Sequence, residues 1–363
     1  MRRMIVMNIC FLEGDMSRRG GTERMTAIIS KALCSEENRI FILSLTLKEK
    51  EVFFDLDYRV THIILNQSGE KSGIVRQIKV IHKFIKKEKI DVVINVDIGM
   101  GIYGIMASFG TTAKTITWEH ANYFNNWGSK IFPYFRRFAA KHSDALVVLT
   151  DKDKKNYKKN IRTKIPIYTI ANPINRHDFS YDIHSKTILS AGLLLQIKGY
   201  EKAIQVARKV FDVCPEWKWT ICGEGPERNH LEQLIRENNL QENLILMGTV
   251  QNMEEQYQKA SMFVMTSQME GLPMVLLEAK SWGLPLVSFD IMTGPSDIIQ
   301  DGINGYLIEE GNIDEMAERI VELIKDDSKR KAFSKESQRD MDKFEMEGII
   351  GKWEKIAKEL IEK

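Results

Sequence analysis

The 363-residue chain has only four cysteines, at positions 10, 34, 214 and 222. No two of them have C-x-x-C spacing, which excludes a zinc knuckle and a thioredoxin-like redox pair. Three of them lie in apolar stretches and are predicted to be inert core residues, whereas Cys34 is ambiguous. Such sparse, unpaired cysteine use favours the reducing cytoplasm as the location.

Long hydrophobic runs are also missing. No window approaches 18 consecutive apolar residues, so the sequence predicts no membrane-spanning helix. The apolar run at residues 4–11 is followed by Glu13-Gly14-Asp15 without a small-residue cleavage site. We therefore expect a buried strand there rather than a targeting signal.

The formal net charge is only +2, but the two halves of the chain differ in sign. Residues 1–180 hold 30 Lys and Arg against 18 Asp and Glu, whereas residues 181–363 hold 22 against 32. A basic N-terminal half indicates an anionic partner, which could be a nucleic acid, a phosphate-bearing lipid or a membrane surface.

Short apolar runs alternate with helical patterns along the whole chain, and this alternation favours parallel sheets covered by helices on both faces. The first predicted set of strands is at residues 4–11, 40–45, 60–65, 92–96, 115–118, 145–149 and 167–170. Residues 12–21 are predicted to be a loop, and Thr22 is predicted to cap the helix at residues 22–33.

The alternation stops near residues 172–186 and then begins again, which predicts two Rossmann-like α/β domains facing each other across a cleft. The second set of strands is predicted at residues 187–191, 219–222, 244–247, 262–265, 286–289 and 305–308. We place the domains at residues 1–175 and 176–340. Residues 334–363 are strongly helical, and we expect either a solvated terminal helix or, from residue 341, a helix that returns to the first domain.

The stretch EGLPMVLLE places two carboxylates, Glu270 and Glu278, on either side of a predicted strand-to-helix junction. Pro273 suits the first turn of a helix. The N–H groups of Leu272, Met274 and Val275 would then lie at a helix N-terminus, where phosphate binds readily. A sugar nucleotide fits this arrangement, with one acid near the sugar and the other near the ribose.

This stretch resembles the E-x7-E motif of the retaining glycosyltransferases of family 4, which have the GT-B fold. The resemblance covers nearly the whole chain and includes seven segments in the family's order. They are GGTER (20–24), WEH (118–120), ANPI (171–174), AGLLLQIKG (191–199), ICGEGPERNHL (221–231), the carboxylate pair itself and FDIMTGPSDIIQDGINGYLI (289–308).

The resemblance implies roles for individual residues. Glu270 would bind the donor sugar, Glu278 the ribose, and Lys198 the diphosphate, where a cation stabilises the leaving group. His120 would contact the donor sugar near the reacting carbon. Gly20 and Gly21 would lie beside the phosphates and the acceptor, and the remaining nucleotide contacts would come from Glu224, Gly225 and Val250.

One position departs from the family pattern, because Leu193 stands where an arginine usually grips the diphosphate. Leucine cannot act as a bidentate phosphate ligand. We expect another cation to substitute, with Arg18, Arg19 and Arg24 as candidates. The departure also leaves open a catalytically impaired member that serves as a partner subunit.

The reaction implied is retaining transfer of a hexose from a nucleotide-sugar, with a UDP-hexose or UDP-N-acetylhexosamine as the expected donor. The acceptor would be a saccharide or a lipid-linked saccharide used to build capsule, lipopolysaccharide or another surface polysaccharide. No separate cofactor is expected. The D-x-D triplets at residues 55–57 and 151–153 lie outside the predicted donor domain, and we expect no metal requirement.

Residues 127–141 mix aromatic and cationic side chains, and residues 152–164 are rich in lysine. These segments are either partly buried helices with solvated lysines or a peripheral contact with an anionic membrane on its inner face. RNA binding is disfavoured, because no ribonucleoprotein-type motif is present. A sugar-nucleotide oxidoreductase or epimerase would need a G-x-G-x-x-G loop after the first strand, and the sequence there is EGDMSRRGG.

Overall fold

The computed structural model describes residues 7–66, 73–178 and 180–362, and they divide into two compact units. Unit 1 consists of Met1–Pro173 with Met346–Lys363, and unit 2 consists of Ile174–Glu345. Each unit is built on a parallel sheet, because most strands are apolar on both faces and most are followed by a helix that covers them.

Among the described residues, the sheet of unit 1 has seven strands in the order β3-β2-β1-β4-β5-β6-β7, and its neighbouring strands are parallel. The strands are β1 (Met7–Asp15), β2 (Asn38–Thr46), β3 (Thr61–Asn66), β4 (Val92–Val96), β5 (Lys114–Trp118), β6 (Ala145–Val148) and β7 (Ile167–Thr169). The direction of strand succession reverses between β1 and β4. Their carboxyl ends therefore form the crevice where such sheets bind ligands.

Helices α1 (Gly21–Leu33), α2 (Ile74–Glu88), α3 (Ile98–Ser108), α4 (Phe132–His142) and α5 (Asp151–Asn160) connect these strands. Two local predictions are wrong here. Strand β1 continues to Asp15, so the predicted loop is shorter than 12–21. Helix α1 begins at Gly21 with Gly20, rather than Thr22, at the N-cap, because Gly20 is the last residue with an extended backbone. The part of the first predicted strand that precedes Met7 lies outside the described residues.

The sheet of unit 2 has six parallel strands in the order β10-β9-β8-β11-β12-β13. They are β8 (Thr187–Ala191), β9 (Lys218–Cys222), β10 (Leu244–Gly248), β11 (Met262–Met265), β12 (Leu286–Asp290) and β13 (Gly305–Glu309). Trp219, Phe263 and Phe289 are fully buried in this sheet. All six strands predicted for this half of the chain are present, to within one residue at each end.

Helices of unit 2 are α6 (Tyr200–Val213), α7 (Arg228–Glu237), α8 (Met253–Lys259), α9 (Met274–Ser281), α10 (Pro295–Ile298), α11 (Ile313–Lys325) and α12 (Asp327–Ser337). Short 3-10 turns are formed by Gln196–Lys198 and Met341–Phe344. Asn252, Asn312 and Asp326 cap α8, α11 and α12 through side-chain oxygens. These caps satisfy N–H groups that have no partner inside the helix.

The last helix, α13 (Met346–Ile361), belongs to unit 1. It buries Ile349, Trp353, Ile356, Ala357 and Leu360, and the ring of Trp353 lies 5.0 Å from that of Trp118. It is therefore not a solvated terminal helix, and a break at the 3-10 turn separates it from α12. Within the described part of the chain, no helix combines the length and the apolar character needed to cross a membrane.

Candidate functional site

The carboxylate pair lies at the carboxyl end of β11, as predicted. The loop after β11 carries Glu270, and Glu278 lies in the second turn of α9. Pro273 is the N-cap rather than the first helical residue, and its carbonyl accepts the N–H groups of Leu276 and Leu277. Met274 and Val275 begin the helix, so their N–H groups belong to the first turn, where intrahelical partners do not exist.

Lys198 and Glu270 are brought together although 72 residues separate them. The Lys198 Nζ donates to Glu270 Oε1 at 2.7 Å, and both side chains are mostly buried. Lys198 comes from the 3-10 turn after β8, and its carbonyl accepts the Thr266 hydroxyl at 3.1 Å. The backbone carbonyl of Glu270 accepts the Thr293 hydroxyl at 2.6 Å, which fixes the loop from the other side. The predicted diphosphate cation and the predicted sugar-binding acid therefore share one edge of the sheet.

Glu278 has a partner that the sequence pattern did not indicate. The hydroxyl of Tyr257, on α8, donates to Glu278 Oε2 at 2.8 Å, and the tyrosine is buried. This hydrogen bond fixes the orientation of the Glu278 carboxylate. In the sequence, the only sign of this contact is an aromatic residue in the helix before β11. Such residues are too common to predict a hydrogen bond to Glu278.

The G-E-G-P loop follows β9 at the same edge of unit 2. Gly225 lies so close to the Leu194 carbonyl that a Cβ would be 2.5 Å from its oxygen, and the Leu194 N–H donates to the Glu224 carbonyl at 3.0 Å. Leu193 is 51% exposed beside this loop. Glu224 accepts Arg228 Nη1 at 2.9 Å, and Val250 follows β10, whose Gly248 bridges to Gly223.

In unit 1 the predicted glycine loop lies at the carboxyl end of β1. The Glu23 side chain folds back over Gly20, so that a Cβ there would meet Glu23 Oε2 at 2.2 Å, whereas Gly21 has open space. Arg18 Nε lies 3.4 Å from Glu23 Oε1, and the Arg19 guanidinium lies 4.9 Å from the centre of the Phe53 ring. Arg24 lies in the first turn and a half of α1.

His120 follows β5, and its ring lies 4.0 Å from that of Trp118. Burial lowers the pKa of His120 to about 3, so the imidazole is neutral at physiological pH. Its Nε2 is buried and has no hydrogen-bond partner among the residues that the structure describes. A neutral ring nitrogen of this kind suits a hydroxyl group of a ligand.

Sequence reasoning missed a group of buried acids at the carboxyl ends of β1, β4 and β5. Burial raises the pKa of both Glu13 and Glu119 to about 8, and it also raises the pKa of Asp97. Asp97 has a left-handed backbone (φ 70°) and accepts the N–H of Ile98 at 2.6 Å. The buried Arg136 lies 3.8 Å from Glu119 and is one of the cations that offset their charge. No spacing rule joins these residues, because each belongs to the end of a different strand.

Three of the four aspartates of the D-x-D triplets bind other protein groups. Asp57 binds Arg59 at 2.8 and 3.0 Å. Asp151 accepts the Thr169 hydroxyl, and Asp153 accepts the Tyr123 N–H. Side chains of the kinds that bind metal ions lie close together on the surface of unit 2. The carboxylate oxygens and ring nitrogen of Glu201, Glu227 and His230 there lie within 4.8 Å of one another. There the His230 Nε2 and Glu201 Oε1 are hydrogen-bonded at 2.9 Å.

Two family models match consecutive parts of the chain. A model described as Glycosyltransferase Family 4 matches residues 19–178, and a model described as Glycosyl transferases group 1 matches residues 174–340. The chain therefore belongs to the family 4, group 1 glycosyltransferases, which are retaining hexosyltransferases, and its two Rossmann-like sheets form the GT-B fold.

Relatives of similar length support this assignment. An uncharacterized glycosyltransferase of Haemophilus influenzae is 27% identical, and the match covers 96% of this chain and 99% of the relative. The amylovoran biosynthesis glycosyltransferase AmsD of Erwinia amylovora is 25% identical, with the same shares covered.

A solved structure shares both sequence and fold with this chain. It is a mutant of TarM from S. aureus, in complex with fondaparinux, alpha-GlcNAc-glycerol and UDP. The match is 26% identical with a TM-score of 0.69, and it covers 77% of this chain and 58% of TarM.

Proposed function

We propose that the protein transfers a hexose or N-acetylhexosamine from a UDP-sugar, with retention, to a saccharide or lipid-linked saccharide in cell-surface polysaccharide synthesis. The observation that carries the proposal is the Lys198–Glu270 ion pair beside the α9 N-terminus, with Glu278 eight residues further on. The UDP in the TarM complex and the polysaccharide named for AmsD support the same donor and product class.

Each group of unit 2 has a chemical task in this proposal. The α9 N-terminus and Lys198 bind the donor diphosphate and stabilise charge as the sugar–phosphate bond breaks. Glu278, oriented by Tyr257, accepts hydrogen bonds from the ribose hydroxyls. Glu270 binds hydroxyls of the donor sugar and stabilises the oxocarbenium-like transition state.

Retention follows without a carboxylate nucleophile. Retaining glycosidases place a nucleophile and an acid about 5 Å apart. Here the leaving diphosphate takes the proton of the acceptor hydroxyl as the acceptor oxygen attacks the same face of the sugar. His120 has a neutral imidazole, which can accept a hydrogen bond from a hydroxyl group of a ligand.

The first experiment is thermal unfolding of the full chain with UDP, GDP, ADP and NAD in turn. A nucleotide at about 100 times its dissociation constant stabilises the folded state by roughly 2.7 kcal/mol. We expect a shift of the midpoint with UDP. A shift with GDP or ADP alone would overturn the UDP assignment, and no shift with any nucleotide would favour the partner-subunit alternative.

The second experiment measures UDP release from a panel of UDP-sugars, with NMR assignment of the product anomer. Glu270→Gln is expected to lower turnover about 100-fold or more, because it removes charge stabilisation at the reacting carbon. Glu216→Gln, at an exposed acid preceding β9, is the matched control. Near-normal turnover of Glu270→Gln, an inverted product or loss of all activity in EDTA would each contradict part of the proposal.

A further inference from the structure

Unit 1 presents an aromatic segment, residues 122–143, that links β5 to β6 and includes α4. The segment contains no Asp or Glu, whereas Lys130, Arg136, Arg137 and Lys141 are cationic. A segment of this length without an acid, in a chain with 28% charged residues, already favours an anionic surface as its neighbour.

Four large apolar side chains of the aromatic segment point into solvent. Tyr134 is 73% exposed, Trp127 63%, Ile131 59% and Phe124 41%. They do not serve the core, because α4 packs through Ala139 and Ala140, and its buried Arg136 donates to Asn126 Oδ1 at 2.7 Å. Folding alone therefore does not explain why these positions hold aromatic and aliphatic residues.

Exposed cations border the apolar side chains. Lys130, Arg137 and Lys141 are exposed on the aromatic segment itself. Helix α5 packs into the same cluster as α4 through Tyr157 and Ile161. The helix adds exposed lysines at positions 155, 158 and 159, and the chain after it adds Arg162 and Lys164. Of the two acids of α5, Asp153 is buried, and the exposed Asp151 offsets only one of these charges.

We propose that the aromatic segment docks unit 1 on the surface of an anionic lipid bilayer. Trp127, Ile131 and Tyr134 enter the boundary between headgroups and acyl chains, as amphipathic interfacial residues do. The cations of α4 and α5 then lie over the phosphate groups of the headgroups. This surface is a property of unit 1 and does not depend on the proposed donor chemistry.

A nucleic acid is the less favoured partner for this surface. Single-stranded nucleic acids are bound by rings on which successive bases stack. Here the aliphatic Ile131 lies between Trp127 and Tyr134, and its side chain provides apolar area but no stacking plane. Apolar area that is exposed and acid-free is recognised by a lipid surface rather than by a polar polymer.

The test is flotation of the full chain with phosphatidylcholine vesicles, with and without 30 mol% phosphatidylglycerol. We expect binding to the anionic vesicles that weakens as salt is raised. The triple variant Lys130→Gln, Arg137→Gln, Lys141→Gln should lower the partition coefficient roughly 100-fold, at about 1 kcal/mol for each cation. The double variant Trp127→Ser, Tyr134→Ser should lower it about tenfold or more through lost apolar burial.

Tyr58→Ser is the matched control, because Tyr58 is 93% exposed but lies just before β3, at the opposite edge of the sheet. Its partition coefficient should equal that of the parent chain. Bromine-labelled lipid should quench Trp fluorescence in the parent chain more than in Trp127→Ser. The proposal is overturned if the parent chain does not float, if Tyr58→Ser loses as much binding as the double variant, or if an RNA oligonucleotide binds while vesicles do not.

Discussion

Tyr257 and Glu278 are 21 positions apart and share a hydrogen bond of 2.8 Å. At the scale of single residues, this contact decides where the second acid of the pair points. Its expected role is one of positioning, because the tyrosine is buried and would not itself touch the nucleotide.

Tyr257→Phe is expected to raise the KM for the UDP-sugar several-fold while kcat stays within about twofold, because one hydrogen bond contributes about 0.5–1.5 kcal/mol. Inhibition constants should show the same contact. Tyr257→Phe should raise the inhibition constant of UDP more than that of 2′-deoxy-UDP, because the affected contact is to the ribose. Tyr306→Phe, on β13 and packed against Phe333, is the control. An equal effect of both variants, or an unchanged KM, would refute a role for Tyr257 in orienting Glu278.

The second prediction for single residues concerns Leu193, which stands where the family has a phosphate-binding arginine. Changing Arg18 and Arg19 together to Ala should weaken UDP binding about tenfold, if these arginines replace the missing phosphate ligand. Adding Leu193→Arg should restore affinity, since this exposed position adjoins the G-E-G-P loop. Ile303→Arg, 47% exposed in the same unit, controls for added charge. Calorimetric titration with UDP measures the affinity of each variant. Unaltered affinity in the double Ala variant would exclude Arg18 and Arg19 as phosphate ligands.

At the scale of elements, the turn between β8 and α6 is held by one glycine. Gly199 has φ 66°, and a Cβ on it would lie 2.2 Å from the backbone oxygen of Thr266. The same turn carries Lys198. The close backbone contact at Gly199 therefore positions Lys198 against the end of β11 and the carboxylate loop, and a side chain at position 199 would disrupt it.

Gly199→Ala should destabilise unit 2 by about 1–3 kcal/mol or more and lower turnover, because both the backbone conformation and the close approach resist a Cβ. Gly302→Ala is the matched control, since its φ is 71° but no atom lies within 4 Å of the added carbon. It should show only the conformational part of the loss. Thermal unfolding and UDP release measure the two effects, and equal behaviour of the variants would mean that the Thr266 contact is unimportant.

At the scale of the whole molecule, the buried acids and His120 of unit 1 make stability depend on pH in opposite ways. Glu13 and Glu119 have raised pKa values, so their favourable contribution is complete below about pH 4.5 and is lost as the pH rises through about 8. His120 has a lowered pKa, so stability falls as the pH drops below about 6.5 toward 3. Together they place the most stable range of unit 1 in mildly acidic solution.

Glu13→Gln should flatten the decline of thermal stability between pH 5 and 8.5. The amide can still accept the Gly14 N–H and meet the Thr26 hydroxyl, but it does not ionise. Glu13 contributes at most about 5 kcal/mol to the decline in the free energy of unfolding over this pH range, and coupling to Glu23 and Asp97 reduces that contribution. Melting curves of both proteins across this pH range test the idea. Parallel curves would show that Glu13 does not titrate there.

Local sequence patterns specify the strands, the two-sheet architecture and the position of the carboxylate pair. Apolar runs, helical periodicity and turn residues act over a few neighbours, so local order on the chain specifies them. This is why the predicted strands 92–96, 187–191 and 262–265 coincide with β4, β8 and β11. The same patterns do not fix the ends of α1 and of the last helical segment, because a helix boundary depends on the conformation of single residues.

Long-range packing, and not local sequence, brings distant groups together. The Lys198–Glu270 ion pair, the Tyr257–Glu278 hydrogen bond and the buried acids at the ends of β1, β4 and β5 each join residues from different elements. Helix α13 returns to unit 1, where Glu354 lies 3.4 Å from Asn38 across 316 residues of chain. Strand order and packing bring such groups together. Burial then shifts their pKa values, and no spacing in a single sequence encodes either effect.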